Sequence, residues 1–385
     1  MKKILLCIFL VSTIYSENIF VSCEGNFDGP GGGSLWNIKD GELYNHLDNI
    51  GHVVQSIYIY ENQLYVIING SSSIEIFDIT EDALILTNSI NTNSSGPREM
   101  IKYNNYIYFT NWYSEDVKKL NLNTLEIEVS ISMPGLPEDI LFHNNSIYTT
   151  ITMNHDWSDG NQVVIIDPQT DTIKNILEVG LGPNELIEFN NDIYISRTYY
   201  DENWNATYGT SKISGLSDNN FTVEIVDYNM GTICGGGILK YQNSVYRVYD
   251  GGIAKIDENL HILSDTKLGT YNPSEIYSVK ILDNKIYFGL TDYTYPDYVD
   301  VINSNGTLIN HYEVGVFPGD FAIWNTCISN GDINTDQVIN INDIILSVDL
   351  ILEQAYNCNA DLTNDGQLNV LDILNIIDII LYNNE

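Results

Sequence analysis

At 385 residues, 44% hydrophobic and 11% aromatic, the chain has the composition of a packed globular protein and room for two or three domains. Its 52 Asp and Glu outnumber 16 Lys and Arg, for a net charge of -36. That excess argues against nucleic acid as a partner and against a polybasic membrane anchor, both of which attract Lys and Arg, and it favours cations.

In chain order, the first element is a leader. Met1-Lys2-Lys3 precedes an uncharged, mostly apolar stretch from Ile4 to Tyr15, and the small Ser16 follows. This is the layout of a secretory signal peptide over 1–16, too short to span a bilayer. Secretion, to the extracellular space or the cell surface, is the expectation. A competing arrangement attaches lipid at Cys23, although Glu17 and Asn18 interrupt the apolar run leading to it. No later stretch has the roughly 18–20 apolar residues of a membrane helix, so a transmembrane chain is not expected. Loss of Cys7 with the leader leaves Cys23, Cys234, Cys327 and Cys358. Pairing of Cys327 with Cys358, a Cys23–Cys327 staple and free buried thiols all remain open.

A large repetitive domain is expected over 17–326. An apolar or aromatic residue, a polar turn and an apolar-Tyr strand start recur six times, closing on Tyr65, Tyr108, Tyr148, Tyr194, Tyr246 and Tyr287. The turns are Glu61-Asn62, Asn104-Asn105, Asn144-Asn145, Asn190-Asn191, Asn243-Ser244 with Gln242, and Asp283-Asn284. Each copy reads as a hairpin, and alternating strands ending in Asp or Asn follow, as in Ile74 to Asp78 and Val163 to Asp167. Several short strands every ~40–45 residues predict β-propeller blades. The strand-like runs at Ile19 to Ser22 and Ser34 to Ile38 need an inner strand, and Val316 to Trp324 can supply it. The fold class is therefore mainly β, a seven-bladed propeller closed by both chain ends, with a six-bladed ring as the alternative.

These repeats resemble secreted YVTN-type propellers. Tyr108-Phe109-Thr110-Asn111 is one residue from that family's namesake motif, and Cys23-Glu24-Gly25-Asn26-Phe27 with Gly33-Ser34-Leu35 is similar to the opening of related bacterial surface propellers. The resemblance implies a binding platform for a polysaccharide or protein ligand; a minority of similar rings are lyases or hydrolases.

Three tripeptides, Pro97-Arg98-Glu99, Pro137-Glu138-Asp139 and Pro183-Asn184-Glu185, each begin 11 residues before their blade tyrosine. If innermost strands start there, Glu99, Asp139 and Glu185 fall near the central channel, as ligands for a cation or polar molecule or simply as polar residues of a repeated turn. No catalytic residues emerge: the histidines are scattered, and there is no Gly-x-Ser-x-Gly elbow and no phosphate-binding loop. A glycosidase would need only two carboxylates, which this acid-rich chain cannot single out. The most ligand-like loop is His155-Asp156-Trp157.

The composition changes over 327–385, where ten acidic residues follow Gly331 without one Lys or Arg. Two 12-residue loops start 29 residues apart, at Asp332 and Asp361. The first offers Asp332, Asn334, Asp336, the Val338 carbonyl, Asn340 and Asp343; the second offers Asp361, Thr363, Asp365, the Gln367 carbonyl, Asn369 and Asp372. This is the oxygen spacing of EF-hand-like Ca²⁺ loops, so two Ca²⁺ ions are expected. Helix-like runs follow at Ile344 to Leu352 and Ile373 to Leu381. The tandem loops resemble a type I dockerin, a small α-helical module. That resemblance implies a cohesin-like or envelope scaffold as partner, with Ile341, Asn342, Val370 and Leu371 at the partner-choosing positions. Gln337 and Thr363 depart from the usual residues and should weaken their loops.

Overall, an exported binding protein attached through its dockerin-like tail is expected. A polysaccharide-degrading enzyme, glycoside hydrolase or lyase, delivered by the same tail is the alternative.

Overall fold

The computed structural model describes residues 17–26, 32–80, 82–217, 219–231, 237–325, 330–334, 338–352, 357, 359–363 and 367–382. The leader, Cys234, Cys327, Cys358, Asp336 and Asp365 lie outside the described residues. Two compact units result, Asn18–Trp324 and one containing the described residues from Asn325 onward.

The larger unit consists of seven antiparallel sheets, so the ring has seven blades rather than six. Blade 1 is composite: Pro318–Asn325 pairs with Glu17–Cys23, followed by Gly33–Lys39 and Glu42–Gly51. Blades 2 to 7 then span 54–91, 97–132, 136–178, 183–230, 238–255 and 276–314, with strands in sequence order. Blade 6 has three strands among the described residues and the others four. The seventh hairpin was not visible as a repeat because it has no turn: its two strands come from opposite ends of the chain.

The polar turns follow a backbone requirement. Asn144 and Asn145, Asn190 and Asn191, Gln242 and Asn243, and Asp283 and Asn284 all have positive φ at both turn positions. Two successive left-handed residues match the twist of a two-residue hairpin, and Asn and Asp accept that conformation more readily than most side chains. The tyrosine closing each copy then enters the second strand and turns into the blade interface. Tyr108 is fully buried and its hydroxyl donates to Asp171 Oδ1, 2.5 Å away in blade 4.

Each interface between neighbouring blades has its own apolar cluster. Phe20, Leu35 and Trp324 of blade 1 meet Val54, Leu64 and Val66 of blade 2. On the other flank, Ile19, Trp36 and Phe321 meet Tyr287, Val299 and Tyr312 of blade 7, which closes the ring. Burial of such side chains stabilises by about 1.5–3 kcal/mol each, so a blade gains its stability only with neighbours on both sides. Cys23 ends the second strand of blade 1 as a free, buried thiol, so the Cys23–Cys327 staple is not made. Processing at Cys23 would also remove Glu17 to Ser22, most of the strand that pairs with Gly33–Lys39.

The smaller unit contains α1 (Ile341–Leu352) and α2 (Val370–Tyr382), each beginning three residues before the predicted apolar run. No helix of the described residues is long and apolar enough to cross a membrane.

Candidate functional site

A repeated irregularity builds the channel mouth. Strand pairing shifts register between Pro97 and Met100, Pro137 and Ile140, and Pro183 and Leu186, leaving the acid of each tripeptide inside a bulge. A bulged residue loses its ladder partner, and here a hydroxyl on the adjacent strand replaces it. The Glu99, Asp139 and Glu185 N–H groups donate to Thr110 Oγ1, Thr150 Oγ1 and Ser196 Oγ, each at 3.0 Å and each 11 residues on. Blade 1 does the same across the chain ends, Asp320 N–H donating to Ser22 Oγ at 3.1 Å.

The structure brings Glu99, Asp139 and Glu185 together around one cavity of about 590 Å³. It adds Arg98 and Glu138 of the same tripeptides, and Glu24, Asp320, Lys240, Lys280 and Tyr277, none of which the sequence placed at the channel. Asp320 was discoverable, since Pro318-Gly319-Asp320 repeats the Pro-x-acid pattern in the closing strand. Glu24 and Lys280 carry no such signal, because one follows the second strand of blade 1 and the other alternates with apolar residues along its strand.

Two ion pairs neutralise part of this charge. Arg98 makes a bidentate contact with Glu138 (Nε to Oε2 3.0 Å, Nη2 to Oε1 2.7 Å), donates to Gln55 Oε1, and lies over the Trp112 ring. Lys280 Nζ lies 2.8 Å from Asp320 Oδ1. Burial, the largest single effect, would lower Arg98, but Glu138 with Glu24 and Glu99 nearby raises its pKa on balance; Asp320 is the main cause that raises Lys280.

The remaining carboxylates are short of positive partners. Burial pushes Glu24 up to about 7 against the pull of Arg98 and of the Tyr277 hydroxyl. Burial also raises Asp139 to about 7, although its oxygens accept N–H bonds from Leu186 at 2.5 Å and Ile140 at 2.7 Å. Glu99 is raised well above the carboxylate range by burial and by Asp320 and Asp139 nearby. Glu185 is raised by burial, opposed by the Ile238 N–H at 3.0 Å. These acids partly stitch blades together, since Asp139, Glu185 and Asp320 each accept a backbone N–H from the next blade. No histidine or cysteine lines the cavity among the described residues, and its serine, Ser278, donates its hydroxyl to the Pro318 carbonyl at 2.6 Å. The arrangement can share protons and hold a positive or polar group; it contains no nucleophile–base pair of the Ser–His or Cys–His kind.

The smaller unit carries a second candidate. Asn340 caps α1 by accepting the Asn342 N–H at 2.8 Å, while Asp343 Oδ2 accepts the Asn340 N–H at 2.9 Å. Asn369 and Asp372 repeat this reciprocal cap at α2, with 2.9 and 2.8 Å. The other oxygen of each Asp reaches back into its loop, Asp343 Oδ1 to the Ile333 and Asn334 N–H groups and Asp372 Oδ1 to the Thr363 N–H and hydroxyl. Asp332, Asp343, Asp361 and Asp372 are all buried. Among the described residues no three acidic, His or Cys side chains gather as a metal site. The donor set nevertheless fits a hard cation, being oxygen throughout in a segment without Lys or Arg, and Oδ2 of Asp343 and of Asp372 each accepts a single N–H among the described residues. Val338, Asn340, Gln367 and Asn369 lie along the loops, and Ile341, Asn342, Val370 and Leu371 stand exposed at the helix starts.

No family model and no curated protein matches the sequence. Solved structures do match in fold. A hypothetical selenium-binding protein from Sulfolobus tokodaii aligns with TM-score 0.62 and 11% identity over 82% of this chain and 94% of that one. A functionally unknown protein from Desulfotomaculum acetoxidans gives 0.60 and 11% over 80% and 98%. Hydrazine synthase from Kuenenia stuttgartiensis gives 0.56 and 10% over 71% and 96%. Likeness at such identities establishes a β-propeller fold shared by proteins of diverse or unknown function, and assigns no activity.

Proposed function

We propose that this is an exported modular binding protein: the propeller holds its ligand at the acidic channel mouth, and the C-terminal unit attaches the chain, in a calcium-dependent way, to a cohesin-like or envelope scaffold. The observation that carries the first half is the 590 Å³ cavity in which Glu24, Glu99, Asp139 and Glu185 exceed the available cations and no nucleophile–base pair is present among the described residues. Supporting the second half are the two loops, alike at an offset of 29 residues, with oxygen donors throughout and no basic residue.

In the tail, Asp332, Asn334, Asp336, Asn340 and Asp343 would hold one ion with the Val338 carbonyl. Asp361, Thr363, Asp365, Asn369 and Asp372 would hold the second with the Gln367 carbonyl. Calcium supplies neutralisation of clustered carboxylates there, which couples its binding to folding. The exposed Ile341, Val370 and Leu371 offer an apolar contact surface beside those loops.

The test is retention of the intact chain on the source's envelope and secreted proteins, with calcium and with a chelator. Calcium-dependent retention on one defined scaffold, lost in Asp336→Ala/Asp365→Ala, is expected. A folded, calcium-loaded chain that is retained by nothing would overturn the attachment reading. One observation favours an enzyme as second reading: Glu24 and Asp139, with pKa values near 7, are suited to give and take protons at neutral pH. Release of fragments from a polysaccharide, abolished in Glu24→Gln, would establish it.

A further inference from the structure

The loops joining second to third strands lie on the same side of the ring as the acidic cavity. Antiparallel pairing requires this, since Pro97 opposes Asn111 and Pro183 opposes Arg197, so the loop after each second strand flanks the start of the first. The Trp112 N–H bonds the Gly96 carbonyl and the Thr198 N–H the Gly182 carbonyl, fixing both loops there.

These loops repeat a chemistry that the hairpin repeat does not contain. Blade 3 presents Trp112-Tyr113 with Glu115, blade 4 Asp156-Trp157, blade 5 Tyr200-Asp201-Glu202 with Trp204, and blade 7 Asp292-Tyr293 with Tyr295. Lys and Arg are absent from residues 112–116, 154–159, 199–205 and 291–298. The aromatic rings face solvent: Trp204 is 82% exposed, Tyr295 70%, Tyr293 59% and Trp157 57%.

Three of these rings also stand on strained backbone. Trp157, Trp204 and Tyr293 have φ of 67°, 62° and 69°. Bulky side chains rarely adopt the left-handed region, and all three of these remain more than half exposed there. The neighbouring acids are held ready. Asp156, Asp201 and Asp292 accept hydrogen bonds from their own loops, chiefly from the side chains of Ser158, Asn205 and Thr294, which lowers their pKa values and keeps them ionised.

Two aromatic tracks connect this rim to the cavity. Arg98, in the cavity wall, lies 4.1 Å from the Trp112 ring centroid, and Trp112 meets Trp157 at 6.1 Å. On the other flank Tyr277, also in the wall, meets Phe317 at 5.2 Å, and Phe317 meets Tyr293 at 5.9 Å.

From this juxtaposition we infer that the occupant of the face is a Lys- and Arg-rich polypeptide segment, its cationic side chains stacking on the rim aromatics beside their carboxylates and one of them entering the acidic cavity. The inference rests on the binding-platform reading and names its ligand class. Charge complementarity decides the class: aromatic faces attract cations, carboxylates add to that attraction, and the four loop segments contain no Lys or Arg to oppose it. A neutral sugar would use the rings and leave the cavity's excess carboxylates uncompensated.

The experiment titrates a short oligolysine peptide, and separately a neutral gluco-oligosaccharide, into the full chain at physiological salt. The variants are Trp157→Ala/Trp204→Ala and, as a control on an outer strand of blade 2, Leu86→Ala. Neither alters the net charge of -36, so diffuse attraction of a polycation is the same in all three proteins. Equal unfolding midpoints show that the variants are folded. Expected are oligolysine binding weakened roughly tenfold in the double variant and unchanged in Leu86→Ala, and no binding of the sugar. Equal oligolysine affinity in all three proteins with no sugar bound would overturn both this inference and the platform reading of the face. Tryptophan-dependent binding of the sugar, with oligolysine indifferent to the substitutions, would overturn the inference and leave the platform reading standing.

Discussion

Glu24 shows how a single burial event sets chemistry at the channel mouth. It is 7% exposed, faces Arg98, Glu138 and Tyr277, and has its pKa raised from 4.5 to about 7. The folded state therefore holds this proton more tightly than the unfolded chain. Its contribution to stability is greatest when the group is protonated and is lost as pH rises from about 4.5 through 7. Glu24→Gln removes that titration. The difference in unfolding midpoint, wild type minus variant, should become more favourable to wild type as pH falls across this window; a pH-independent difference would mean that Glu24 is not held protonated. Little of this was legible in the chain, where Glu24 is one acid among 52 Asp and Glu, and only the folded loop sets it beside Arg98.

Among the elements, the inner strands combine a bulge, an acid and a hydroxyl in one device. Thr150 is fully buried, accepts the Asp139 N–H at 3.0 Å, and donates to the Asn184 carbonyl of the next blade at 2.7 Å. Thr150→Val keeps the volume and leaves both backbone groups unsatisfied, so a loss of about 2 kcal/mol is expected. Urea unfolding should show a lower midpoint at unchanged m; an unaltered midpoint would mean that water or a backbone shift replaces the hydroxyl. The hairpins themselves were readable, because the Asn-rich turns and their tyrosines depend on local backbone and strand preferences. Glu99, Asp139 and Glu185 were found through their tripeptides, yet their second task, accepting a neighbour's N–H in the case of Asp139 and Glu185, follows from blade packing and leaves no periodic trace. The helix starts were placed late because Asn340 and Asn369 were weighed as metal donors, although they also cap the helices.

At the scale of the molecule, seven inter-blade clusters and a composite first blade tie residues 18–324 into one unit, while the C-terminal unit has its own small core around Ala360 and Ile376. The ring's closure was legible because two strand-rich ends lacked partners of their own. The aromatic rim was not, since Trp157, Trp204 and Tyr293 share a side of the ring only after the blades are stacked. The central claim is a ligand-binding propeller carried by a calcium-responsive tail, and calorimetry of the intact chain tests it most directly. Scans with calcium and with chelator, on wild type and on Asp336→Ala/Asp365→Ala, should resolve two transitions. Calcium at about a hundredfold above its dissociation constant should stabilise the smaller one by about 2.7 kcal/mol per site, with no effect in the variant and none on the propeller. A single merged transition, or a smaller transition that ignores calcium, would contradict the account.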